Sequence, residues 1–201
     1  LIDNYLFEAL SQNYYYCINE KISEKKDYGN LIKLLISDLE KYNSFRNNFD
    51  EYSLNKTIDW LFSDKNYQTI IDLKKNFTSV QLDKADSWFE IAYSYNEVED
   101  KKNAQKSYEH YLSKNKNSTA ALNNLANIYH EKNELIFVEK AIKLYEKALK
   151  IDSDKDLFLK NLSNTKETRE ELIKQKSTNE ILEKTFKRAI GLLKNENYFS
   201  I

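Results

Sequence analysis

The chain has no proline, no methionine, two glycines (Gly29 and Gly191) and one cysteine (Cys17) in 201 residues. Each shortage removes a class of structure. Turns that depend on proline or glycine are scarce by composition, so long helices joined by short polar turns are favoured. Two isolated glycines cannot build a glycine-rich phosphate loop. A single cysteine cannot close an internal disulfide, which favours a reducing compartment such as the cytoplasm. No apolar run approaches the roughly 18 residues of a membrane span, and a membrane is not an expected partner. No charged start followed by an apolar stretch marks a secretory signal. The Leu1 start and the missing methionine lead us to expect a processed product or an excised piece.

Charge is abundant but has no excess of one sign. Lysine and arginine number 31 against 32 carboxylates, a net charge of −1. A nucleic-acid surface needs clustered excess cations, so nucleic acid is not an expected partner. The two histidines, His110 and His130, lie far from Cys17, and neither His-x3-His nor Cys-x2-Cys spacing occurs. No metal site, cofactor or cysteine–histidine nucleophile is expected from such spacing. Carboxylate pairs in a chain this charged are usually solvated surface, and none can be assigned acid–base work. The chain is not expected to be an enzyme.

What is present is an internal repeat. Trp88, Ile91, Ala92 and Tyr95 are matched by Leu122, Leu125, Ala126 and Tyr129, each 34 positions on. Ala104, Tyr108 and Tyr111 are matched by Ala141, Tyr145 and Ala148, now 37 positions on, so three residues are inserted between Tyr129 and Ala141. Small residues at 92, 126, 104 and 141 let antiparallel helices approach closely, while the large ones fill the seams. This pattern over 85–155 resembles the tetratricopeptide repeat, whose period is about 34 residues. Alanine replaces the family's glycine at 92 and 126, and Lys116 and Ser153 stand where its turn proline would be. Alanine is also small, and a helix can end without proline.

The resemblance implies an all-α, tetratricopeptide-like α-solenoid of antiparallel helical hairpins with a C-terminal capping helix. The frame extends backward with a degenerate match over 12–84. Residues 1–24 read as a helix with Leu6, Leu10, Tyr14, Cys17, Ile18 and Ile22 on one stripe. Tyr14, Tyr15 and Tyr16 cannot all share that stripe. A polar loop, 24–27, leads to a second helix with Leu31, Leu34, Leu35, Ile36 and Leu39, closing hairpin 1–45. After a polar break at 43–51, with Asn47 and Asn48 as its tip, hairpin 51–84 presents Leu54, Ile58 and Leu61, then Tyr67, Ile70, Ile71 and Phe77. Repeats 85–118 and 119–155 follow. In the second of these, residues 135–138 add a turn after Asn133 as helix cap, with core burial expected over an exposed edge. Residues 156–176 read as a polar cap completing domain 1–176. Ser177 and Glu180 form a capping-box pattern opening an amphipathic helix over 177–201. That helix either folds back on the stack or begins a further domain.

The resemblance also implies a concave groove lined by the first helix of each repeat. Its positions fall on Asn55 and Asp59, on Phe89, Tyr93 and Asn96, on Asn123, Asn127 and His130, and on Lys160 and Asn164. Tyr52, Phe62 and Asp86 occupy further positions of the same set. Phe89 and Tyr93 are not needed by the repeat core. They either anchor a ligand peptide or pack on the neighbouring hairpin. Lys160 and Asn164 match part of a family clamp for C-terminal carboxylates, but its other members are missing. The expected function is non-enzymatic binding of a protein or peptide partner. One alternative is a regulatory segment of a larger protein, and another is a small-ligand pocket at Tyr14–Tyr16.

Overall fold

The computed structural model describes residues 2–23, 28–152 and 156–195; the side chains of 2–7, 22–23 and 193–195 also lie outside the description. Every regular element among the described residues is an α-helix. The chain divides into two compact units, Leu1–Lys116 and Asn117–Ile201.

The first unit contains α1 (Ile2–Ser23), α2 (Gly29–Lys41), α3 (Asn43–Asn47), α4 (Glu51–Ser63), α5 (Tyr67–Lys74), α6 (Ser79–Lys84), α7 (Trp88–Glu97) and α8 (Lys101–Lys114). Helix α1 packs on α2 and α4, α4 on α5 and α7, and α7 on α8. The segment over 1–84, where the match is degenerate, is likewise helical. Its core residues lie where the spacing predicts, with Leu54, Ile58, Leu61, Ile70 and Ile71 all buried. Each such burial contributes roughly 1.5–3 kcal/mol. Trp88, Ile91, Ala92 and Tyr95 of α7 are buried against Ala104 and Tyr108 of α8. The two alanines are fully enclosed, which is what lets the pair close.

The second unit contains α9 (Thr119–Glu131), α10 (Leu135–Ile151) and α11 (Asp156–Asn195). Helix α10 packs on both α9 and α11. Leu122, Leu125, Ala126 and Tyr129 meet Ala141, Tyr145 and Ala148, all buried. Each unit is thus all-α among the described residues, with helices that follow one another packed in pairs, an arrangement consistent with a tetratricopeptide-like solenoid.

Several sequence expectations are corrected. On α1, Leu10 and Cys17 are exposed, and the buried residues are Ser11 and Ile18. The Ser11 hydroxyl accepts from the Asp50 backbone N–H at 3.1 Å, so a small polar residue, not a leucine, sits where α4 begins. Tyr16 is the tyrosine that faces away. Leu34 of α2 is exposed while Ile32 replaces it in the core. The polar break 43–51 holds helix α3 and two buried rings, Phe45 and Phe49. Those rings stack edgewise in a line with Phe77, and burying them outweighs the polarity of their neighbours. The second helix of 51–84 is split into α5 and α6 because Thr78 and Gln81 form a capping box that starts a new helix. The extra turn at 135–138 is helical as expected, and Val138 is buried, but Ile136 is exposed. Asn133 is not the cap of that helix; Glu134 is, with no side-chain bond. Ser177 opens no helix either, since its hydroxyl donates to the Lys174 carbonyl inside α11. The expected loop at 24–27 lies outside the described residues.

The glycine shortage has a structural consequence at the turns. Lys65, Asp86, Glu99 and Asn133 all have φ between 50° and 61°, the left-handed region. Around Lys65 the hydrogen bonds follow the Schellman pattern, Asn66 N–H to Leu61 carbonyl and Lys65 N–H to Phe62 carbonyl. Glu99 and Asp100 repeat it with Asn96 and Tyr95. A side chain in this region costs roughly 1–2 kcal/mol that glycine avoids, less glycine's greater entropy loss on folding. Lys65→Gly is therefore expected to stabilise the first unit by about 0.5–1 kcal/mol in denaturant unfolding. A loss of stability would show that the lysine side chain contributes more than its strain.

Candidate binding surfaces

In the first unit, the sequence-predicted residues of α4 and α7 lie on helices that pack together. Phe62, Tyr67, Tyr93 and Phe89 form a continuous row of rings. Tyr93 lies edge-on to Phe62 at 5.2 Å between centroids, 5.8 Å from Tyr67 and 6.5 Å from Phe89. Phe89 in turn reaches Tyr111 of α8 at 5.6 Å. Both Phe89 and Tyr93 are half-buried. They pack on the neighbouring hairpin and still present a surface. Burial, helped by Glu97, raises the Tyr93 hydroxyl above its ordinary pKa.

Carboxylates border this row. Asp59 faces Lys56 at 3.1 Å on a part-exposed site. Glu90 lies between Phe89 and Ile91 on α7, and its Oε2 is buried with no hydrogen-bond partner among the described residues. Burial first, then the charges of Asp59 and Asp86, push its carboxyl up to about 7. The other predicted residues here serve the fold. Asn55 donates to the Ala85 carbonyl at 2.8 Å, pinning α4 to the turn before α7. Asn96 accepts from Lys101 at 3.1 Å.

In the second unit, Asn123, Asn127 and His130 of α9 face α11. Asn161 donates to Asn123 at 2.9 Å and to Asn127 at 3.4 Å. Asn127 also accepts from the buried Tyr145 hydroxyl, and His130 meets the Thr168 hydroxyl at 3.0 Å. These amides hold three helices together. Lys160 and Asn164 are exposed on α11. Asn161 escaped the sequence reading although it stands 34 residues after Asn127, so the repeat frame itself carries that signal. Glu90 escaped because burial of a carboxylate cannot be read from spacing.

Two further clusters belong to the first unit. Asp83 accepts from Trp88 Nε1 at 2.9 Å, and contacts His110 and Lys114 at 2.6 Å each. Those partners, Lys114 first, hold the Asp83 carboxyl down at about 2. The arrangement ties α6 to α8 across the Trp88 ring, which lies 4.4 Å from the His110 ring. Separately, a cleft of about 550 Å³ is lined by Leu10 and Tyr14 of α1, Asp38 and Lys41 of α2, and Phe45 of α3. The Tyr14 hydroxyl donates to Asp38 there at 2.5 Å. Among the described residues no group of three histidine, cysteine or carboxylate side chains is placed to hold a metal ion. No helix of the described residues is long and apolar enough to cross a membrane.

Glu90 makes stability depend on pH with a definite sign. Its pKa is higher folded than unfolded, so folding takes up a proton between the ordinary value of 4.5 and about 7. The favourable neutral state is present below the lower value and is lost as pH rises through the upper one. Glu90→Gln should leave stability near pH 4 unchanged and raise it near pH 8, by on the order of 3 kcal/mol. Melting curves at the two pH values check this, and an equal effect at both would place Glu90 in solvent.

The family model of the tetratricopeptide repeat matches residues 85–117 and 119–155. No curated protein matches the chain. The matched segments coincide with the pairs α7–α8 and α9–α10 and with their buried alanines. Residues 85–155 therefore carry two tetratricopeptide repeats.

Proposed function

We propose that the chain is a non-enzymatic interaction module that holds a peptide or partner helix on the α4–α7 face. Tetratricopeptide repeats mediate protein–protein interaction, and residues 85–155 carry two of them. The observation that supports this face is the row Phe62–Tyr93–Phe89, half-buried and bordered by Asp59, Glu90 and Glu97. Rings already packed on one another lose little rotamer entropy on binding, so the surface is preorganised. Aromatic anchors with fixed neighbours are typical of the few residues that carry interface energy. The carboxylates select a ligand that pairs an apolar side chain with lysine or arginine.

Asn123, Asn127 and His130 supply less to a ligand than their frame positions imply, because α11 occupies them. Lys160 and Asn164 are exposed on α11 of the second unit. A second reading rests on the cleft at Leu10, Tyr14 and Phe45, whose volume suits a small apolar ligand. Native mass spectrometry of freshly purified protein, with a retained mass lost in Tyr14→Ala, would support that reading.

The module reading is tested with a displayed random-peptide library selected on the 201-residue chain. Enriched peptides should combine an aromatic or aliphatic residue with a cation, and should lose about tenfold or more in affinity for the Asp59→Lys, Tyr93→Ala variant. Circular dichroism must show that variant folded. Peptides that bind parent and variant equally would remove the α4–α7 face from consideration.

A further inference from the structure

Helix α11 is a single helix of 40 residues, and its two halves have different surroundings. Up to Leu172 it packs on α10. Phe158 and Thr165 are buried, Lys166 meets Glu146 at 3.3 Å, and Arg169 reaches Glu139 at 3.9 Å. From Ile173 to Leu192 every residue is exposed. That stretch is nonetheless amphipathic. At 3.6 residues per turn, Ile181, Leu182, Phe186, Ile190 and Leu192 occupy one half of the circumference. Lys176, Lys184, Lys187 and Arg188 occupy the other half, with Glu180 among them and Glu183 at its edge. The apolar side chains are exposed by 38 to 68%, a patch a soluble surface does not normally leave bare.

We infer that residues 176–192 of α11 form an in-plane helix that docks on the surface of an anionic lipid bilayer. Two observations choose this occupant. The apolar arc spans half the helix, whereas a partner helix in a coiled coil needs only a narrow seam. A flat apolar boundary uses the whole arc, as interfacial helices do. The polar half carries four cations against two carboxylates, on a chain whose net charge is −1. Cations beside the apolar arc meet anionic headgroups while the side chains of Leu182 and Phe186 enter the acyl boundary. A second copy of the chain would bring like charge against like charge. The helix lies on the bilayer and does not cross it, in keeping with its charge content.

The test is flotation of the 201-residue chain with vesicles of phosphatidylcholine alone and with about 30% phosphatidylserine. The chain should float with the anionic vesicles, at least about tenfold more than with neutral ones, and less as salt rises from about 50 to about 500 mM. Leu182→Glu, Phe186→Glu should abolish flotation without changing the melting temperature, since both side chains are exposed. Flotation equal on both vesicles, unaffected by the substitutions, or absent would overturn the inference. Binding to polyglutamate without vesicle binding would assign the face to an acidic protein. A dimer in light scattering that Phe186→Glu dissolves would assign it to a second copy.

Discussion

The close contact between paired helices at fully enclosed alanines is the constraint on which the repeats depend. Ala92 and Ala126 on the first helices, and Ala104 and Ala141 on the second, have no exposed surface. A larger side chain at any of them would force the axes apart, and the large residues around them would lose their contacts together. Because Trp88, Tyr95 and Tyr108 reach across that gap, their positions follow from it. So does the placing of Phe89 and Tyr93 on the remaining face of α7, where they meet Phe62 and Tyr67. The surface proposed for binding is a by-product of which face the alanines commit to the core.

The same logic explains how polar residues are used. In a chain with few glycines, turn strain is borne by Lys65, Asp86, Glu99 and Asn133, and at the first three of these Schellman-type bonds satisfy the helix ends. Part-buried amides then supply specificity between helices. Tyr145 and Asn161 place their donors on Asn127, so α9, α10 and α11 are joined at one point. Asp83 does similar work between α6 and α8. Glu90 is the exception, a carboxyl whose buried oxygen has no partner, and it lies beside the surface proposed for ligand binding.

Much of this was legible from residue spacing. Pairs 34 and 37 positions apart located α7 to α10 and the enclosed alanines at 92, 104, 126 and 141, because helix packing needs size to recur at fixed intervals. What failed did so for physical reasons. Leu10 and Leu34 look like core residues, yet Ser11 and Ile32 are buried instead, since the partner helix and not hydrophobicity alone decides which face turns inward. Phe45 and Phe49 were hidden in a polar stretch because two rings are enough to bury a short helix. Ser177 imitates a helix start, but a hydroxyl bonds as readily to the carbonyl of the turn before it. Groove positions carried from the family did not show that α11 takes Asn123, Asn127 and His130, and the one signal for it is the 34-residue step from Asn127 to Asn161.

Substitution at the alanine contact is the most direct measure of the account. Ala126→Trp should lower the melting temperature and broaden unfolding, by on the order of 1–3 kcal/mol or more, as overpacking of a closed helix contact does. Leu34→Trp, at a residue 54% exposed, should melt like the parent. If Ala126→Trp also melts like the parent, the helices are not held by that contact, and the repeat frame with everything placed by it is wrong.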